Sequence, residues 1–303
     1  MSIFRHPIYN FANLLTVCNL LLGAFSILCA LNGKLDFACY ALLSAMACDF
    51  LDGFLARLLR VNGDFGKQLD SLADMISFGL APGILMFVMI ILGIDIDSWK
   101  NIAISQQNCQ MDAGQFVQIK IQEWSDAFFY QPKDGFEMYN PCEVGTYYNP
   151  YDASIKYLPF TAFIIPLFSI LRLAKFNIDE NQKNFFIGIP TPMSTFFFIF
   201  FPMFFVSNFE ILANQSSVVY ALFDCYSLVA IVTLFSPLMV APITLIAMKF
   251  QSPRFNENAY RITFFILSLI SIPIFQWWSI PFILTLYLGL SILQQFLTRK
   301  NEI

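Results

Sequence analysis

The chain alternates long apolar runs with short polar connections. Runs of roughly 17 to 25 residues, the length a helix needs to cross about 30 Å of hydrocarbon, fall near 11–31, 37–60, 68–94, 157–176, 190–208, 217–248, 260–276 and 278–297. The pattern predicts an all-α, polytopic membrane bundle of about eight transmembrane helices. The sixth run is overlong and carries Pro237 and Pro242, so a kink or a split is expected there. Only Trp277 and its neighbours separate the last two runs, which predicts a tight helical hairpin with aromatic side chains at the interface. The first run contains Asn13, Thr16 and Asn19 and has no small-residue cleavage site before Lys34. It reads as a retained span, not a signal peptide.

Composition agrees with this pattern. Of 303 residues, 57% are hydrophobic and 13% charged, against about 25% charged in soluble globules, and the mean hydropathy is +0.63. The formal charge of −4 excludes the basic surface a nucleic-acid binder needs. Basic residues also orient the bundle, because Lys and Arg accumulate in short cytoplasmic loops. With the N-terminus inside, Arg5, Arg57, Arg60, Lys67, Arg172, Lys175, Lys183, Lys249, Arg254, Arg261, Arg299 and Lys300, 12 of the 17 basic residues, fall inside. Both termini are then cytoplasmic, and eight is the required even number.

Three segments follow: 1–94 with the first three spans, an outer connection at 95–156, and 157–303 with the remaining spans. The connection carries nine acids against four lysines and is long enough to fold partly on itself. Cys109 and Cys142 lie in it, and in an oxidising compartment a bridge between them would contribute roughly 3 kcal/mol; spacing alone does not say whether they meet. Cys18, Cys29, Cys39, Cys48 and Cys225 fall in apolar runs, as small packing residues. His6 reads as a surface residue. There is no internal repeat, low-complexity tract or soluble catalytic domain.

The chemistry concentrates in Asp49 to Asp74, DFLDGFLARLLRVNGDFGKQLDSLAD. Asp49 and Asp52 are spaced i, i+3 and Asp70 and Asp74 i, i+4, so each pair shares one helix face. The turn from Val61 to Gly66 folds the two helices into a hairpin that brings the pairs together. Carboxylates near a bilayer repel unless something positive sits between them. An all-oxygen shell without His or Cys suits Mg²⁺, Mn²⁺ or Ca²⁺ and argues against zinc or copper. Four carboxylates suffice for two ions, the arrangement that serves phosphoryl transfer. Gly53, Ala56 and Gly66 keep the flank of this face small, and Arg57 and Lys67 add positive charge suited to a diphosphate. Helix capping with Arg57, Arg60 and Lys67 as partners explains one such Asp, not four at this spacing. A divalent-cation transporter explains the carboxylates but leaves Gly53, Ala56, Arg57 and Gly66 unaccounted for.

The pattern DxxDGxxARx8GxxxDxxxD, met by Asp49, Asp52, Gly53, Ala56, Arg57, Gly66, Asp70 and Asp74, resembles the signature of the CDP-alcohol phosphatidyltransferases. The resemblance implies a helical membrane enzyme, expected as a homodimer, that moves a phosphatidyl group from a CDP-linked lipid to an alcohol and releases CMP with two divalent metals. These would be Mg²⁺ or Mn²⁺, with Ca²⁺ as a non-productive occupant. By the same resemblance Asp49, Asp52 and Asp70 would ligate metal, with Asp74 completing the site and acting as general base. Asp52, Gly53, Ala56, Arg57 and Gly66 would lie along the CDP. Asn13, Thr16 and Asn19, on the polar face of the first span, either reach the nucleotide or bond across helices.

Two further segments, RLAKFN at Arg172 to Asn177 and FIGIPTP at Phe186 to Pro192, sit at the cytoplasmic ends of spans four and five. With NLLT at Asn13 to Thr16 they resemble the membrane-embedded, serine-accepting branch of the family. That likeness implies CDP-diacylglycerol and L-serine as substrates, within the lipids of a membrane that we take to be a prokaryotic inner membrane. Arg172 and Lys175, spaced i, i+3, would hold the lipid-linked phosphate or the carboxylate of an amino acid, or else face anionic lipid head groups. The alternative acceptors are glycerol phosphate, inositol and inositol phosphate, and the donor lipid could be ether-linked.

Overall fold

Helix α1, Phe11–Leu31, inverts the pattern of a helix in water. Its exposed stripe is Phe11, Leu14, Val17, Leu21, Phe25 and Leu28, and its buried stripe includes Asn13, Thr16, Asn19, Gly23 and Ser26. Such a helix is stable where the surroundings are hydrocarbon and its small and polar residues meet other helices. The Asn10 side chain caps its start by accepting from the Asn13 N–H at 2.8 Å, satisfying one orphan donor of the first turn. Its end is a Schellman turn: the Gly33 N–H donates to Ala30 O and the Lys34 N–H to Cys29 O, with Gly33 at φ 73°, where glycine has no Cβ to clash. The turn sends α2, Leu35–Leu59, back along α1.

The computed structural model describes residues 10–59, 63–96, 112–129, 155–178, 186–209, 217–245 and 259–301. Helix α3, Asp64–Asp74, runs through a π-helical turn, Met75–Leu80, into α4, Ala81–Ile94. Sequence hydrophobicity places the start of this span near 68; the helix begins four residues earlier because its first turn is polar. Pro82 accounts for the π turn. In an α-helix the Phe78 carbonyl would accept from the N–H of residue 82, which proline lacks, and the proline ring crowds that same carbonyl. The Phe78 oxygen instead accepts from Thr195 Oγ1 at 3.2 Å and Ser169 Oγ at 3.4 Å, which ties three elements together just beyond the Asp cluster. Helix α4 is apolar all round and buried from Ala81 to Gly93 apart from Ile84, the signature of a central helix.

Helix α5, Ala113–Phe129, lies in the predicted outer connection. A 3-10 segment, Ile155–Phe163, leads into α6, Ile164–Ile178. Gly79 and Gly83, four apart, let α6 approach closely: a Cβ on Gly79 would lie 3.1 Å from Ser169 Cβ, and one on Gly83 2.9 Å from Pro166 Cδ. Strand β1, Phe186–Ile187, precedes α7, Thr191–Ser207. Helices α8, Ser217–Phe223, and α9, Cys225–Phe235, follow, then a 3-10 turn, Ser236–Met239, and β2, Thr244–Leu245, antiparallel to β1. Helix α10, Ala259–Phe275, and α11, Ser279–Asn301, close the order. They pack on each other through Phe264 and Tyr287, with Gln276 at φ 49° in the turn between.

The fold is all-α apart from the two-residue strand pair. Four helical stretches are long and apolar enough to cross a membrane, Phe11–Leu31, Asp64–Ile94, Ile155–Ile178 and Ile262–Ser291, the last being the α10–α11 hairpin; Thr191–Ser207 and Cys225–Met239 are shorter apolar helices. The sixth apolar run departs most from expectation. It breaks at Asp224, whose side chain accepts from the Tyr226 N–H at 3.0 Å and caps α9, and it leaves the helix after Met239, so that Leu245 pairs with Phe186. The first break falls at a capping side chain; the second, where α9 gives way to the 3-10 turn, falls at Pro237, as the sequence predicts.

One end of the bundle holds the Asp cluster. The opposite end is covered by α5. Lys120 Nζ bonds Asp95 at 2.7 Å and Glu123 at 2.9 Å, Gln118 donates to Asn32 O at 2.8 Å, Trp124 Nε1 donates to Lys156 O at 2.9 Å, and Phe116 packs on Phe205 and Phe209. A cleft of about 360 Å³ lies between α5 and the α1–α2 turn, far in sequence from every candidate catalytic residue. Cys109 and Cys142 lie outside the described residues.

Candidate functional site

Three elements meet at the end that holds the Asp cluster: the first turns of α1, the last turns of α2, and α3. Carboxylate oxygens of Asp49, Asp70 and Asp74 lie within 4.8 Å of one another. Asp52 shares their helix face, but its carboxylate is turned to α1, where it accepts from Thr16 Oγ1 at 2.6 Å. The structure thus gathers three of the four expected carboxylates and gives the fourth a neutral partner. None of the four makes a salt bridge with a described residue, and Asp70 Oδ1 is a buried acceptor with no partner. Converging carboxylates that are half-buried, as Asp49 and Asp70 are, or buried, as Asp74 is, are unfavourable unless a cation joins them. An all-oxygen donor set with an orphaned carboxylate oxygen fits a hard divalent metal.

Asn19, the third polar residue of the first span's expected polar face, bonds across helices. It is fully buried on α1 and its amide donates to Asp74 Oδ1 at 3.0 Å. Its backbone carbonyl accepts from Ser77 Oγ of the π turn at 2.9 Å. One face of Asp74 is therefore held from behind, and its orientation is tied to the turn that Pro82 imposes. The signal was present, since Asn13, Thr16 and Asn19 fall on one helix face; only the partner of each was illegible. Thr16 goes to Asp52, and Asn13 lies beside Gly66, whose added Cβ would stand 3.3 Å from Asn13 Oδ1.

The other expected residues form an open flank. A Cβ on Gly53 would meet nothing within 4 Å. Ala56 is half-buried and Arg57 exposed. The two cations of RLAKFN do not act as a pair. Arg172 is buried, and its Nη1 donates to Met239 O at 2.8 Å beside Gly188, whereas Lys175 is exposed at the end of α6. Arg172 thereby fixes the junction of α6, the 3-10 turn and the loop before α7. Nearer the carboxylates, Lys67 Nζ donates to Asn177 O at 2.9 Å and Asn177 Nδ2 donates to Ser71 Oγ at 2.8 Å.

Residues 9–123, the part of the chain that holds this cluster, match the family described as CDP-alcohol phosphatidyltransferase. Among similar curated proteins, the CDP-diacylglycerol--serine O-phosphatidyltransferase of Helicobacter pylori is 39% identical over 82 residues, 27% of this chain and 35% of the relative. The archaetidylserine synthase of Methanothermobacter thermautotrophicus is 45% identical over 78 residues, 25% of this chain and 33% of the relative. The CDP-diacylglycerol--serine O-phosphatidyltransferase of Saccharomyces cerevisiae is 38% identical over 87 residues, 26% of this chain and 32% of the relative. The chain thus spans about a third of the length of the curated relatives it matches. Phosphatidyltransferases of this family generally use divalent metal, in keeping with the acidic cluster. The four membrane-capable helices, with the family match over residues 9–123, point to an integral membrane protein.

Proposed function

We propose that this phosphatidyltransferase moves the phosphatidyl group of CDP-diacylglycerol to the hydroxyl of L-serine, giving phosphatidylserine and CMP. The observation that carries the reading is the convergence of Asp49, Asp70 and Asp74 within 4.8 Å, in a domain whose similar curated proteins are serine-accepting synthases. Asp49, Asp70 and Asp74 would hold two Mg²⁺ or Mn²⁺ ions, with Asp52 steadied by Thr16 at the edge of the site. Bound metal supplies electrostatic stabilisation of the diphosphate and of the departing CMP oxygen. The serine hydroxyl oxygen bonds to the lipid-linked phosphorus, the bond from that phosphorus to the CMP oxygen breaks, and the hydroxyl proton passes to Asp74. Asn19 keeps Asp74 aimed for that transfer. Gly53, Ala56, Arg57 and Gly66 flank the CDP, with Asn13 and Thr16 behind them. Lys175 serves the lipid phosphate or head groups, and Arg172 holds the backbone that shapes the pocket.

In this reading residues 1–94 carry the catalytic cluster, 95–156 cover the outer face, and 157–303 complete the pocket. The site and both termini face the cytoplasm of a prokaryotic inner membrane, as supported by the basic residues on that side and by bacterial and archaeal relatives. Homodimerisation rests on the family resemblance alone. A second reading, an ether-linked donor with the same acceptor, is favoured by the archaetidylserine synthase match.

The test is CMP release by the detergent-purified chain given CDP-diacylglycerol and Mn²⁺ or Mg²⁺, with serine, glycerol 3-phosphate, inositol or inositol phosphate in separate reactions. Serine alone is expected to stimulate release, and EDTA to abolish it. Stimulation by another alcohol instead of serine overturns the acceptor assignment. Metal transport into vesicles without CMP release overturns the enzyme reading altogether.

A further inference from the structure

Gly23 interrupts an apolar stretch of α1, LLLGAFS at Leu20 to Ser26. After proline, glycine is the least favourable residue in a helix interior, so its place here calls for a packing reason. The structure supplies one. A Cβ on Gly23 would run into Ser77 Oγ and stand 2.8 Å from Ser77 Cα. At this point the π turn lies directly on the α1 backbone.

Each of the two residues has a polar companion one turn nearer the carboxylates. Asn19 precedes Gly23 by four residues and Asp74 precedes Ser77 by three, so each pair shares a helix face. The Asn19 amide donates to Asp74 Oδ1 at 3.0 Å, and the Asn19 backbone carbonyl accepts from Ser77 Oγ at 2.9 Å. Within α1 that carbonyl is also the acceptor for the Gly23 N–H, one turn on. A helical side chain leans back over the turn before it, so a Cβ at position 23 would cover the carbonyl that Ser77 reaches. Asn19, Gly23 and Ser77 are all buried, where a displaced hydroxyl has no water to replace its partner. The π turn is held on its other side as well, because the Phe78 carbonyl accepts from Thr195 and Ser169. It is a fixed frame against which α1 is set.

We infer that Gly23 and Ser77 are positioning residues for the reaction: together they set how α1 seats on the π turn, and so aim Asp74 through the Asn19 amide. This rests on the reading above that Asp74 serves the metal site and the proton transfer. Ser77 acts through Asn19, so its hydroxyl should matter to catalysis only while the Asn19 amide is present.

The experiment uses the full chain in detergent and two readouts. One is metal-dependent CMP release from CDP-diacylglycerol, with the alcohol that stimulates it in the wild type. The other is the Mn²⁺ concentration needed for a given rise in melting temperature, which requires no substrate. Ser77→Ala is expected to lower kcat about 3- to 10-fold, the worth of one hydrogen bond, to raise the Mn²⁺ requirement by a similar factor, and to leave the KM for CDP-diacylglycerol unchanged. Asn19→Leu removes the link to Asp74 but keeps the backbone carbonyl. In that background Ser77→Ala is expected to lower the melting temperature as before, yet to change neither kcat nor the Mn²⁺ requirement further. Gly23→Ala is expected to lower kcat about 10- to 100-fold, and adding Ser77→Gly, which gives back part of the room, to recover some of that loss. Unchanged kcat and Mn²⁺ requirement in Ser77→Ala overturn the inference. So do equal losses from Ser77→Ala with and without the Asn19 amide, which would assign Ser77 to packing alone. A double variant no better than Gly23→Ala overturns the part played by Gly23. A wild type that releases no CMP with any alcohol is a different result: it removes the proposed function, while the Mn²⁺ melts still decide whether Gly23 and Ser77 aim Asp74 at a metal.

Discussion

The bond from Asn19 to Asp74 couples the buried scaffold of α1 to the carboxylate cluster. The Asn19 amide has its Nδ2 on Asp74 and its Oδ1 buried without a partner. Replacing it with leucine, of similar size, removes both the donor and the orphaned acceptor. Asn19→Leu is therefore expected to lose about 10- to 100-fold in metal-dependent CMP release, the usual cost of removing a group that orients a ligand, without lowering the melting temperature. A titration of activity against Mn²⁺ beside a thermal melt checks this; a fall in melting temperature that matches the loss of activity would assign Asn19 to packing alone. At this scale the sequence was informative about type and silent about partners. The four Asp, the flanking Gly and Ala and the polar face of α1 could all be read from spacing. That Thr16 would hold Asp52, or that Arg172 would serve a backbone carbonyl, depends on rotations of helices about their own axes that no linear pattern records.

Among the elements, α5 has the most distinctive electrostatics. Burial works against the Lys120 charge, but Asp95 and Glu123 outweigh it and hold the ammonium above its ordinary range. Burial pushes the Glu123 carboxyl up, partly offset by Lys120. Both shifts mean that the folded state binds the proton more tightly than the unfolded one, so their contribution is greatest at low pH and fades as pH rises through the raised values. For Lys120 that window opens above its ordinary value of 10.5. Lys120→Met is expected to cost about 3 kcal/mol at neutral pH by stranding two carboxylates, and to remove the alkaline fall in the melting temperature expected of the wild type; Trp124 fluorescence during the melt reports the docking of α5. The helix itself was only half legible. Acidic and aromatic residues marked the connection as something that folds, but its charges gave no hydrophobic run to count. The membrane helices were plain because hydrocarbon leaves few alternatives to a long apolar helix, and the break at Asp224 was missed because a capping side chain inside an apolar run looks like an interruption to be tolerated.

For the whole molecule, the carboxylate cluster makes stability depend on its ion. Divalent metal at about 100 times its Kd would stabilise the folded chain by about 2.7 kcal/mol. Mn²⁺ or Mg²⁺ is thus expected to raise the melting temperature by a few degrees, and the Asp70→Asn variant to lose that response. Ca²⁺ should give the stability increment without supporting turnover. A metal-independent melt would mean that the three carboxylates are balanced by something other than an ion. The measurement needs no substrate, so it separates occupancy of the site from its chemistry.

The π turn between α3 and α4 amounts to one residue more than an α-helix would hold over the same length. One residue is about 100° of rotation. The stretch from Asp64 to Ile94 is a single rod whose two halves are clocked against each other. The upper half is free to turn its carboxylates toward α1 and α2, and the lower half to satisfy the packing of the bundle's centre. Without that offset, one register would have to serve both, and any change that improved the core would swing the site out of line. The proline that defines the turn lets the interior drift in sequence while the geometry of the cluster stays where it is.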